Sequence, residues 1–169
     1  MASFEIKYKY YDKKSMEKVL REFKTGDKLN TTATFAYVSI YIDGKVVSTP
    51  WAKEKLDFTD TEWLWDLCLG FTKIKELLDG KEKRARFSDD PIDIVFRKIG
   101  PNVEIGIATR GNQPYIKTTL PLKNFLQSIH ALLNNFTVDM KTINPELMKC
   151  DLMTPILDTA RWLQKQYAA

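Results

Sequence analysis

PIDIVFRKIGPNVEIGIATRGNQPYIKTTL, residues 91–120, contains three β-type runs broken by two turns. Residues 92–99, 103–109 and 115–120 are rich in β-branched side chains. Gly-Pro-Asn at 100–102 and Arg-Gly-Asn-Gln-Pro at 110–114 are strong turn signals, because glycine accepts positive φ and proline fixes its own. Three strands this close in sequence predict an antiparallel meander. A weaker strand is predicted at 84–88, just upstream. Downstream, LPLKNFLQSIHALLNNF at 120–136 changes period, with Leu122, Phe125, Leu126, Ile129, Leu132, Leu133 and Phe136 at helical spacing.

The N-terminal third repeats the pattern. FEIKYKY at 4–10 alternates with period two, placing Phe4, Ile6, Tyr8 and Tyr10 on one face. Ser15 is predicted to cap a short helix bearing Met16, Val19, Leu20 and Phe23 and stopped by Gly26. TATFAYVSIYIDGKVVS at 32–48 reads as a hairpin about Asp43-Gly44, a pair that accepts positive φ at both central positions. Asn144-Pro145 and Thr154-Pro155 each read as a cap followed by proline at the first helical position. No composition break divides residues 1–169. The expectation is one α+β domain, an antiparallel sheet of about five to seven strands with helices mainly on one face.

At 169 residues with 44% hydrophobic and 28% charged side chains, the chain is long and apolar enough for a buried core. The start, MASFEIKYKYYDKK, has no apolar leader segment, and no stretch is long and apolar enough to span a bilayer. Cys68 and Cys150 stand far apart, outside any paired spacing. Together these predict a cytoplasmic protein. The net charge of +4 is patchy: residues 53–66 carry five acids against two lysines, and residues 73–86 six bases against three acids.

Between those patches lies TEWLWDLCLGF, 61–71. Thr59 and Glu62 have capping-box spacing and Gly80 is a natural stop, which predicts a helix over this region. Trp63, Leu64, Leu67, Phe71, Ile74, Leu77 and Leu78 then share one arc, with Cys68 at its edge. Trp65 and Leu69 fall on the other side, among Glu62, Asp66, Thr72, Lys73 and Glu76. Either the C-terminal helices cover that side, or it is a partner-binding ridge with aromatic anchors and a charged rim. Trp162 likewise points away from the stripe Ile156, Ala160, Leu163, Tyr167, and it could pack against Trp65.

Catalytic signatures are missing: no phosphate-binding glycine loop, zinc-helix motif, nucleophile elbow or CxxC pair occurs. His130, the only histidine, sits at the edge of an apolar stripe. No cofactor is expected, and the expectation is a protein that is not an enzyme. Three weaker signals remain. Asp89, Asp90 and Asp93 form a cluster that could hold a divalent cation in a metal-assisted hydrolase, or serve as an acidic contact patch. Lys83, Arg84 and Arg86, with Lys7 and Lys9 on the first strand, could bind nucleic acid or simply solvate a sheet edge. The 120–136 helix presents Asn124, Gln127, Ser128, Asn134 and Asn135, a polar face with little charge that can pack on a second protein without stranding ions.

Taken in order, the Asp-Gly hairpin, the Trp/Leu-rich helix, FSDDPIDIVFRKIGPNVEIGIATRG and the LPLKNFLQSIHALLNNF helix resemble small bacterial immunity proteins. These are encoded beside polymorphic or contact-dependent growth-inhibition toxins. The resemblance spans residues 31–136 and implies a cytoplasmic, non-enzymatic domain that binds and blocks a cognate toxin. Many inhibitors of basic nuclease toxins are acidic, whereas this chain is basic. Its acidic interface would then be local, at 54–66 or 89–93, or its toxin is of another kind.

Overall fold

The computed structural model describes residues 3–46, 60–86, 92–109, 111–114 and 116–168, the side chains of 60–63, 78–79 and 167–168 excepted. Strand β1 (Phe4–Tyr10) leads into α1 (Lys13–Arg21), a 3-10 turn (Thr31–Thr34), β2 (Phe35–Ile42) and β3 (Lys45–Val46). Then come β4 (Asp60–Trp63), α2 (Leu64–Phe71) and a 3-10 stretch (Thr72–Asp79). The remainder is β5 (Lys83–Arg86), β6 (Ile92–Ile99), β7 (Asn102–Thr109), β8 (Ile116–Pro121), α3 (Leu122–Ile143), a 3-10 turn (Pro145–Lys149) and α4 (Met153–Ala168).

The chain is a single α+β domain, and its described strands divide between two antiparallel sheets of four. In the first, β2 pairs with β1, β3 and β4; the second is the meander β5-β6-β7-β8. Asp43 (φ 52°) and Gly44 (φ 72°) make the tight turn between β2 and β3 as the Asp-Gly pair demands. Alternation in β1 buries Phe4 and Ile6 and leaves Glu5, Lys7 and Lys9 outside.

Aromatic rings tie the two sheets together. Phe4 of β1 meets Phe125 of α3 at 5.4 Å, Phe125 meets Phe96 of β6 at 5.4 Å, and Phe96 stacks on Phe71 of α2 at 6.1 Å. Tilted and offset ring pairs of this kind add to the area they bury. One hydrophobic cluster therefore runs through both sheets and all four α-helices.

Several local readings are corrected. Residues Asp60–Trp63 are a strand paired with Phe35–Val38, not the first turn of a helix, so the capping box does not operate at Glu62; Thr59 lies outside the described residues. The helix begins at Leu64 and becomes 3-10 after Phe71, ending at the left-handed Gly80 (φ 73°). Asp12, not Ser15, caps α1: its carboxylate accepts the Ser15 N–H at 3.0 Å and the Ser15 hydroxyl at 2.7 Å. Those bonds hold the Asp12 carboxyl below its ordinary range. Thr154 lies inside α4 and does not cap it. Asn144 does cap its 3-10 turn, accepting from Glu146 N–H at 3.0 Å, while its amide donates to the Leu20 and Phe23 carbonyls at the end of α1.

Candidate functional site

The aromatic ridge does not exist as a surface. Trp65 is 0% exposed. Its backbone N–H donates to Thr34 Oγ1 at 3.1 Å, and its ring stands edge-on to Phe136 of α3 at 5.2 Å. The buried Nε1 has no hydrogen-bond partner. Leu69 and Trp162 are half-buried and packed against the same core. Asp66 is half-buried and engaged, and Glu62 contributes its backbone to β4, opposite Ala36. The helices that cover Trp65 are distant in sequence, so its facing could not be read from the helical wheel alone.

Asp93 has a different role from the one its neighbours suggested. It is 0% exposed on β6 and faces Arg84 Nη1 at 3.3 Å, Arg86 Nε at 3.2 Å and the Gly111 N–H at 3.5 Å. Register explains the cluster, since Arg86 lies directly opposite Asp93 in the β5–β6 ladder and Arg84 shares its face. Arg84 also donates to the Asn112 carbonyl at 3.4 Å, and Pro114 packs so tightly on Gly106 that a methyl there would meet it at 2.6 Å. The cluster thus pins the turn after β7 onto the outer face of the second sheet. A carboxylate held between two guanidinium groups is not a cation ligand, which removes Asp93 from both the metal site and the acidic contact patch. Asp89 and Asp90 lie outside the described residues. Among the described residues no group of three or more His, Cys, Asp and Glu side chains is placed to hold a metal.

The basic residues do not gather. Lys7 and Lys9 belong to the first sheet, and Lys83, Arg84 and Arg86 to the second. Lys7 pairs with Glu5 at 3.4 Å and lies over the Tyr41 ring at 4.7 Å; Lys83 pairs with Glu76 at 2.5 Å, and Arg84 with Glu82 at 2.9 Å. Of the five, only Lys9 has no carboxylate partner among the described residues, so little uncompensated field is left for a polyanion.

Two further side chains capable of acid–base or nucleophilic chemistry, Cys68 and His130, are shielded to different degrees. Cys68 is fully buried, which pushes its thiol well above the ordinary range, against nucleophile chemistry. Partial burial lowers the His130 pKa. Half-buried between β1 and α3, Asp139 accepts hydrogen bonds from both Tyr8 and Tyr10 hydroxyls at 2.9 Å. Burial first, then the nearby charges, holds both phenols far above their usual range.

One concavity combines a strand that, among the described residues, pairs on one side only with an unusual helix face. A groove of about 550 Å³ runs between β1 and α3, lined by Phe4, Glu5 and Ile6 on one wall and Gln127, Ala131 and Asn135 on the other. From Asn124 to Val138 the helix has no Asp, Glu, Lys or Arg. Gln127, Ala131, Asn134 and Asn135 are exposed, and Val138 is 53% exposed. The amide-rich half of this site was visible in the sequence. The strand half was not, because alternation identifies a strand but not its place at the border of a sheet.

No protein-family model, no curated protein and no solved structure matches this chain. Among the described residues no helix is long and apolar enough to cross a membrane.

Proposed function

We propose that this chain is a non-enzymatic, protein-binding domain that receives its partner in the groove between β1 and α3. The partner is a cognate toxin, which the chain neutralises in the cytoplasm as an immunity-type inhibitor. The observation that carries the binding reading is the α3 face itself. It is exposed, amide-rich and free of formal charge, and it borders a groove large enough to take several side chains. Such a face can be buried without stranding an ion. Asp93, Cys68 and His130, the groups that might have done chemistry, are salt-bridged, sealed in the core or shifted by burial. The toxin class comes from the sequence resemblance.

The test is growth. Cells expressing the toxic domain encoded beside this gene should survive with the wild-type chain and die with Ala131→Trp, which fills the groove from an exposed position. A neighbouring product that is neither toxic nor bound, or full protection by Ala131→Trp, contradicts the proposal.

A further inference from the structure

We infer that the groove takes an extended segment of the partner protein, added as an extra strand on β1 and bearing acidic residues at alternate positions. The inference deepens the partner-binding reading and rests on it. Among the described residues β1 pairs with β2 alone and so borders its sheet. Asp43 N–H donates to the Ser3 carbonyl at 2.9 Å and Tyr11 N–H to the Phe35 carbonyl at 3.0 Å, so odd-numbered residues turn their backbone groups toward β2. Even-numbered residues turn theirs outward, because the two directions alternate along an antiparallel strand. Phe4 shows this directly, its carbonyl accepting from Ser128 Oγ of α3. Two residues on, the N–H and C=O of Ile6 face the groove. A donor and an acceptor presented together on a border strand are what another strand recognises.

Side chains specify which strand. On the outer face β1 presents Glu5, Lys7 and Lys9; Glu5 is paired with Lys7, leaving the row positive at its C-terminal end. An added strand places alternate residues about 5 Å from Lys7 and Lys9; Lys7 already shares Glu5, so it is chiefly opposite Lys9 that an acid is favoured and a base repelled. Its intervening residues turn toward Gln127, Ala131 and Asn135. No ion there could balance a charge, so these residues must be neutral. A second copy of this chain fits poorly. Ser128 brings α3 to the outward carbonyl of β1, so symmetric pairing would hold two α3 helices about one strand spacing apart, roughly 4.8 Å. Packed helices need about 8–10 Å.

The probe is a blocked synthetic peptide alternating Glu and Thr, with a Lys/Thr peptide as its counterpart, added to the full chain. Backbone amide exchange at Ile6 and Tyr8, followed by NMR, should be fast in the free protein. The acidic peptide should slow it about tenfold or more, and the basic one should leave it unchanged. Lys7→Glu with Lys9→Glu should invert that preference, and Ala131→Trp should abolish protection while circular dichroism stays native. Unchanged exchange at Ile6, equal response to both peptides, or protection that grows with protein concentration alone would each overturn the inference, the last by making the occupant a second copy. If the peptides fail while Ala131→Trp still destroys protection from the toxin, the groove receives a folded surface: the strand inference falls and the binding reading stands.

Discussion

Replacing Asp93 with alanine should cost about 2–3 kcal/mol, and the figure follows from its surroundings. At an effective dielectric of about 20, a charge pair at the 3.3 Å separation of Asp93 and Arg84 attracts by about 5 kcal/mol. Arg86 is 59% exposed, so its attraction at 3.2 Å is screened toward the value in water, about 1 kcal/mol. Desolvating a fully buried carboxylate offsets several kcal/mol of this, while removal leaves one direction of the Arg84 guanidinium without its partner. Urea unfolding at neutral pH measures the sum. A double-mutant cycle with alanine at position 84 or 86 apportions it, and the Arg84 coupling should exceed that of Arg86 because Arg84 is only 27% exposed. Added salt should erode the Arg86 coupling first. A loss under about 0.5 kcal/mol for Asp93→Ala, or the larger coupling at Arg86, would refute the assignment of Asp93 as the latch under the β7–β8 turn.

Gly106→Ala should destabilise by about 1–3 kcal/mol, because the new methyl meets the rigid Pro114 ring at 2.6 and 2.8 Å; unchanged urea unfolding would mean the turn is not seated there. Thr159→Val should be neutral or stabilising by about 1 kcal/mol, since the buried hydroxyl has no hydrogen-bond partner, and a loss above 1 kcal/mol in the same assay contradicts that. Tyr8 and Tyr10 are raised from an ordinary value of 10.0, so above pH 10 the unfolded chain loses protons that the folded chain keeps. Stability should therefore be intact below pH 10 and fall as pH rises beyond it. Tyr8→Phe with Tyr10→Phe should flatten that fall, and identical alkaline unfolding curves for wild type and variant would contradict it.

Where structure is set by neighbours in sequence, the residues announce it. Alternation in FEIKYKY, the Asp43-Gly44 turn, Gly100-Pro101-Asn102 and the Phe125-to-Phe136 stripe all correspond to observed elements. The failures occur where a distant partner decides. Asp60–Trp63 has helix-start chemistry, yet pairing with Phe35–Val38 makes it a strand, an outcome no local pattern encodes. For Trp65 the helical wheel left two readings, covered or a ridge, and only Phe136, 71 positions along the chain, decides for the covered one. Asp93 was grouped with Asp89 and Asp90 by adjacency, whereas strand register gives it to Arg84 and Arg86. Similarly, nothing in β1 says that, among the described residues, it pairs on one side only, which leaves the amide face of α3 bordering a groove.

The most direct test of the groove as the binding face is calorimetric affinity for the partner encoded beside this gene. Wild type is compared with Ala131→Trp in the groove and Arg161→Glu on the exposed side of α4. Filling a central contact should weaken binding by at least about 2 kcal/mol, roughly thirtyfold, while Arg161→Glu leaves it within about twofold. Native affinity for Ala131→Trp, with binding lost in Arg161→Glu, would place the interface elsewhere and contradict the account.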